Sequence, residues 1–218
     1  MYVAEIWRYP VKSMAGESLE VADVGALGIP GDRRVQVYNA DELEVTARTH
    51  SRLLGHRGTL GLDGEPRVDG RDWRDPSVLA DVISIVGRGA TLSREDDPSL
   101  RFDVLPLLVA TDGAIAAFGR DRRRLRPNLV IGGVSSLDER SWPGARLAIG
   151  EVVIDVANLR GRCVITTFDP DSLAQDPQVL RDIVQRFGGK LALDCAVVRV
   201  GTIHVGQDVE LLRPRAAA

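Results

Sequence analysis

The chain has 218 residues, of which 44% are hydrophobic and 27% charged, and a formal net charge of −3. That length suits one large domain or two small packed ones, and the balance is that of a soluble globular protein with no global field to recruit nucleic acid or an acidic membrane. No apolar run approaches the roughly 20 residues of a spanning helix, and Met1 to Pro10 alternates apolar and polar residues instead of forming a signal core. Cationic charge is almost wholly arginine, since Lys12 and Lys190 are the lysines. Arginine offers a planar fork of donors suited to phosphate and carboxylate. Counting leaves a disulfide between Cys163 and Cys195 open, but nothing points to secretion. A cytoplasmic protein with reduced thiols is expected.

Val3 to Tyr9 and Leu19 to Val21 read as strands, and Ala26 to Asp32 as a turn. Arg33 to Tyr38 is a strand with Val35 and Val37 on one face, followed by a turn at Asn39-Ala40-Asp41. Thr59 to Leu62 and Arg67 to Asp69 frame Asp63-Gly64 as a hairpin. Pro76 to Val86 spaces its apolar residues as a short amphipathic helix, although its Val and Ile content leaves a strand open. Arg88 to Leu105 is polar and acidic and reads as mobile. Leu107 to Ala110 is a buried strand, after which Thr111 caps a helix over Asp112 to Phe118. A basic stretch, Arg120 to Arg126, ends at Pro127, and Asn128 to Ile131 is a strand. Ala145 to Ile149 and Val152 to Val156 form a hairpin around Gly150. Arg162 to Phe168 reads as a further strand closed by Asp169-Pro170-Asp171. Pro177 to Phe187 is the strongest helix, with Asp176 as cap and Gly188-Gly189 as stop. Strands over Leu191 to Val200, Thr202 to Val205 and Val209 to Leu212 finish the chain, and residues 214–218 read as a loose tail. Many short strands between Gly and Pro turns suggest a barrel or sandwich.

Cys163 follows Asn158-Leu159-Arg160-Gly161-Arg162. Arginines on both sides of Gly161 would stabilise a thiolate, making it a nucleophile or a soft-metal ligand; a core thiol at a strand start is the other reading. Cys195 has apolar neighbours and reads as packed. Arg122 to Arg124 read as a solvated helix end. Arg126 abuts Pro127 and enters a buried strand, whereas Lys12-Ser13 and Asp32-Arg33 are donors at strand ends. Three such donor groups with a cysteine are what a phosphate-bearing cofactor needs. His50, His56 and His204 lack metal-ligand spacing and read as surface or structural residues. Asp169 and Asp171 read as a turn before an acid–base pair. Neither a phosphate-binding glycine loop nor a dinucleotide fingerprint is present, and no local motif assembles a Ser-His-Asp hydrolase.

Several of these segments resemble one family. Tyr9-Pro10-Val11-Lys12-Ser13 and Gly31-Asp32-Arg33-Arg34 resemble motifs of the MOSC N-terminal β-barrel. Arg126-Pro127-Asn128-Leu129-Val130-Ile131, the run Arg162-Cys163-Val164-Ile165-Thr166-Thr167-Phe168-Asp169-Pro170-Asp171, and the segment from Gly201 to Asp208 resemble motifs of the MOSC domain. The order is right, and the match runs over nearly the whole chain. The resemblance implies a mainly β fold with a few short helices (α+β), a MOSC-type β-barrel over 86–213 behind an N-terminal β-barrel subdomain over 1–85. It implies a molybdenum–molybdopterin cofactor with Cys163 as metal ligand and catalytic centre. Carried over, Lys12, Ser13, Arg33, Arg126 and Asn128 would hold the pterin and its phosphate. Arg162 joins them beside the cysteine, and Thr111 sits where the family places a small hydroxyl.

One departure is Gly161, where amidoxime-reducing members have a serine. Two cysteines cannot ligate an iron–sulfur cluster, so electrons would come from a separate partner. The implied activity is reduction of small N-hydroxylated compounds such as hydroxylamines, amidoximes or N-hydroxylated bases. A sulfur-transfer or cofactor-carrier protein using a Cys163 persulfide, and a degenerate anion-binding module, are the alternatives. Neither nucleic acid nor membrane is expected as a partner.

Overall fold

The computed structural model describes residues 1–213; the expected tail at 214–218 lies outside the described residues. In chain order the elements are β1 (Tyr2–Arg8), β2 (Glu17–Leu19), β3 (Val21–Val24), β4 (Val35–Tyr38), β5 (Glu44–Val45), β6 (Gly58–Leu60), β7 (Pro66–Val68), β8 (Arg71–Asp72), α1 (Pro76–Val86), β9 (Thr91–Arg94), α2 (Pro98–Arg101), β10 (Leu107–Thr111), α3 (Asp112–Phe118), β11 (Leu129–Gly132), β12 (Arg146–Ile149), β13 (Val152–Gly161), α4 (Pro177–Phe187), β14 (Lys190–Arg199), β15 (Gly201–His204) and β16 (Glu210–Leu212). The fold is thus mostly β with four short helices, as the sequence suggests.

Val, Leu and Ile runs buried on both faces demand cover on both sides, and β10 and β11 lie at the middle of the main sheet accordingly. Its order is β16-β12-β13-β14-β10-β11-β1-β2. β10 and β11 are parallel and joined across α3; the other pairings are antiparallel. The sheet curls: β3 pairs with β15, and Asp208 bridges Tyr2. The described strands do not close a continuous barrel, so the barrel expectation holds only as a curled sheet.

The main core joins Val3, Ile6 and Val24 to Leu107, Leu129, Ile154 and Leu193. A second core gathers Val11, Val35, Val37, Leu53, Val78 and Val82 under α1. The boundary expected at residues 85 and 86 does not divide these cores. β1 to β3 belong to the main core, whereas β9 pairs with β4 beyond residue 86. Strand pairing is non-local, and a composition shift cannot report it. A third core packs Phe118 of α3 against Ile183 and Phe187 of α4.

The helices start where their caps dictate. Asp75 and Asp176 accept from Ser77 N and Gln178 N, each ahead of a proline in the first turn. Gly188, in the left-handed region, ends α4. Two expectations need correction. The stretch from Arg88 to Leu105 contains β9 and α2, and Arg101, only 3% exposed, donates to Asp32 O at 2.5 Å. The segment from Arg162 to Phe168 is not a strand: β13 ends at Gly161 and Val164–Thr167 forms a 3-10 turn. Thr166 and Thr167 turn their hydroxyls onto Cys163 O and Val164 O at 2.8 and 2.6 Å, so the β-branched run coils instead of pairing. Among the described residues no helix is long and apolar enough to cross a membrane.

Candidate functional site

Loops at one end of the curled sheet converge on a basic cavity of about 120 Å³. Lys12 and Ser13 come from the loop after β1, Arg33 from the entry to β4, Arg126 and Asn128 from the approach to β11, and Arg162 and Cys163 from the end of β13. All seven residues drawn from the sequence motifs line this one cavity. Ser13, Arg33 and Arg126 adopt φ of 70°, 52° and 55°, a left-handed conformation rare for side-chain-bearing residues and concentrated at functional sites.

Two of the seven are structural anchors as much as lining. Asn128 is fully buried; its Oδ1 accepts from Leu108 N at 3.1 Å and Arg33 Nη1 at 3.3 Å, while its Nδ2 donates to Asp32 Oδ2 at 3.2 Å. Asp32, also fully buried, accepts from Tyr9 N at 2.6 Å and pairs with Arg33. This network ties β1, β10 and the two motif loops together, fixing where Arg33 stands. Ser13 Oγ accepts from Ala47 N at 2.9 Å and leaves its own proton free to donate.

Arg126 and Arg162 differ from the other cations that line the cavity, Lys12, Arg33, Arg48 and Arg160, which all pair with carboxylates. Neither makes an ion pair among the described residues. Arg126 lies over the Tyr9 ring at 4.5 Å, and Arg162 donates only to Leu125 O at 2.8 Å while its Nε is buried without a partner. Burial pushes both guanidinium pKa values down to about 10, with Arg160 adding to the effect at Arg162. A cation held out of water without an anion is costly unless a ligand supplies the anion.

Cys163 is partly exposed to the cavity and Cys195 fully buried; both thiols are free. Burial pushes the Cys195 thiol up, which makes it inert. Sequence reasoning missed Arg48 and Asp103, which also line the cavity. Arg48 shares the cavity lining with Cys163 and pairs with Asp103 at 2.6 Å. Arg160 pairs with Asp194 at 3.0 Å and with Asp103 at 3.2 Å, so of the two arginines flanking Gly161 this one is neutralised. No motif marks Arg48, and Asp103 lies in the stretch read as mobile.

Thr111 is not in the site. Its hydroxyl accepts from Ala114 N at 3.1 Å as the cap of α3 and faces Glu139 at 3.4 Å in the core. Arg123 is not simply solvated either: it clamps Asp121 and Asp171, each at 2.7 Å. It lines an adjoining chamber of about 380 Å³. Trp7, Tyr9 and Phe168 form aromatic walls there, and Arg126 and Ile165 are shared with the basic cavity. His56 pairs with Asp69 at 2.7 Å and lines neither chamber, although its neighbours Gly55 and Arg57 line the larger one. Asp169 serves its turn, accepting from Ser172 N at 3.0 Å.

Residues 1–72 match the family model of the MOSC N-terminal beta barrel domain, and residues 115–210 that of the MOSC domain. The chain is 27% identical over 228 residues to mitochondrial amidoxime reducing component 2 of Macaca fascicularis, covering 78% of this chain and 67% of that one. It is 25% identical over 229 residues to mitochondrial amidoxime-reducing component 1 of Homo sapiens, with the same coverage. The crystal structure of the YUAD protein from Bacillus subtilis superposes with a TM-score of 0.55 at 14% identity, covering 98% of this chain and 96% of that one, a likeness of fold.

Proposed function

We propose, from the premise that this chain belongs to the MOSC domain family, that it is a molybdenum-cofactor-dependent oxidoreductase reducing N-hydroxylated compounds. The relatives that carry amidoxime reduction in their names support the reaction class. The observation that carries the reading is the pair of arginines without an anion, Arg126 and Arg162, beside a free thiol. A pterin cofactor ending in a phosphate fits that chemistry: it supplies the anion, and its metal takes a soft thiolate. Among the described residues no three His, Cys, Asp or Glu side chains gather as a metal site, so a metal at Cys163 has to bring most of its own ligands.

Bound there, the cofactor supplies a two-electron redox centre. The net reaction removes the hydroxyl oxygen as water, consuming two electrons and two protons. Cys163 would hold the metal end, and Lys12, Ser13, Arg33, Arg126 and Arg162, which line the same cavity, would donate to the phosphate and pterin. Asn128 fixes Arg33 in place. The larger chamber has room for a ring, with the flat guanidinium of Arg126 as its shared wall. Asp103 does not serve as an acid: burial raises its proton affinity, but Arg48, Lys12 and Arg160 together hold it below the usual carboxylate range. Protons therefore come from solvent at the cavity mouth, and electrons from a separate donor protein. Two free cysteines support a reducing compartment such as the cytoplasm.

The test is expression in a host that makes molybdopterin, followed by metal analysis and reduction of a hydroxylamine with an artificial donor. Retained molybdenum and turnover are expected. A labile sulfur mass on Cys163 without molybdenum would point to sulfur transfer instead.

A further inference from the structure

We propose that Lys12, Arg48 and Arg160 form an anion subsite and that Asp103 is its resident counter-ion, displaced when a phosphate-bearing ligand enters. The inference rests on the reading that the basic cavity receives a phosphate.

Asp103 stands among three cations brought from three parts of the chain, at 3.6 Å from Lys12 Nζ, 2.6 Å from Arg48 Nη2 and 3.2 Å from Arg160 Nη2. One carboxylate bridging three cations occupies the position an oxyanion of higher charge would take. The pairings are unequal. Lys12 also holds Glu44 at 2.7 Å and Arg160 also holds Asp194 at 3.0 Å, whereas Asp103 is the carboxylate partner of Arg48. Departure of Asp103 therefore uncovers one full cation, Arg48, in the cavity that Cys163 also lines.

The segment bearing Asp103 is built to let go. No backbone amide from Asp103 to Leu105 donates a hydrogen bond among the described residues, and Leu100 and Val104 are exposed. The segment is fastened on both sides, by buried Arg101 on Asp32 O and by β10 from Leu107. Between Phe102, whose amide closes α2, and β10 it is held to the cavity by the ion pairs of Asp103, and a stretch with few hydrogen bonds opens at low cost. The small volume of the basic cavity, about 120 Å³, is the volume with this strap in place.

A counter-ion that competes with the ligand and a residue that orients the cations for it make opposite predictions. The apo protein, from a host unable to make molybdopterin, is titrated with inorganic phosphate at constant ionic strength, with chloride as control, by calorimetry. Asp103→Asn removes the competitor and is expected to tighten phosphate binding roughly tenfold over the parent chain. Adding Arg48→Gln is expected to abolish that gain. Circular dichroism and melting of each variant establish that it is folded. Unchanged or weaker phosphate binding by a folded Asp103→Asn overturns the proposal, as does a gain that survives Arg48→Gln. Tighter phosphate binding in a chain that retains no molybdenum and reduces no hydroxylamine leaves this inference standing and sinks the oxidoreductase reading alone.

Discussion

Arg126→Met should stabilise the cofactor-free protein and weaken its hold on the cofactor, and the two opposite signs identify a ligand-binding residue. Arg126 makes no ion pair among the described residues, and burial lowers its pKa from 12.5 to about 10. At roughly 1.4 kcal/mol per pH unit, that is a penalty of at most about 3.5 kcal/mol on the charged fold. The penalty is present below about pH 10 and therefore in full at neutral pH. Stacking on Tyr9 at 4.5 Å returns on the order of 1 kcal/mol, and the cavity side of the group keeps some water. Methionine has a similar length and keeps the same left-handed backbone, so strain at φ 55° does not change. A net gain of about 1–2 kcal/mol raises the melting temperature by roughly 2–8 °C in a chain this long. Loss of a charge-assisted contact of about 1.5–3 kcal/mol weakens cofactor binding by roughly one to two orders of magnitude. Scanning calorimetry of the apo protein and molybdopterin quantitation of the purified holo protein read the two effects. A lower melting temperature with full cofactor content would show Arg126 to be a packing residue and refute the reasoning.

Thr111→Val should cost about 1–2 kcal/mol through the lost cap of α3 while cofactor content stays at the parent level; a fall in cofactor without a fall in stability would return Thr111 to the site. Glu139 is fully buried with Oε1 unpartnered, and burial raises its pKa. Its folded form prefers the proton, so its contribution is intact below the ordinary carboxylate range and is lost as pH rises above it. Glu139→Gln should therefore flatten the decline in melting temperature as pH rises above the ordinary carboxylate range; parallel curves for the two proteins would contradict this. A Cβ at Gly161 meets open space, so Gly161→Ser should fold unchanged and add one donor beside the cavity. Slower cofactor loss on dilution is the expected readout, and a lowered melting temperature would show the site to be tighter than described.

The parts of the fold set by local chemistry were legible in the sequence. The helices at Asp112–Phe118 and Pro177–Phe187 announce themselves by their caps, the second also by a first-turn proline, whereas Pro76–Val86 shows itself in its apolar spacing. What depended on distant partners was not. β9 forms because β4 lies beside it, and Arg101 is buried because Asp32 O receives it. The turn after Cys163 was hidden because Val164-Ile165-Thr166-Thr167 has strand composition, and only the direction of two hydroxyls decides otherwise. At the site, the motif residues were visible as donors at strand ends. Their left-handed backbone was not, because Ser13, Arg33 and Arg126 carry no glycine signal. Thr111 misled because a capping hydroxyl and a ligand-binding hydroxyl look alike in sequence.

The central claim is that Cys163 holds the metal while Cys195 is a core residue. The direct measurement is molybdenum per chain, by mass spectrometry, in Cys163→Ser and Cys195→Ser purified from the same molybdopterin-producing host as the parent. Cys163 is partly exposed in the basic cavity, so serine there should remove the metal with little change in melting temperature. Cys195 is fully enclosed, so a hydroxyl there should cost on the order of 1–3 kcal/mol and leave the metal in place. Full molybdenum and full hydroxylamine reduction in Cys163→Ser would contradict the account.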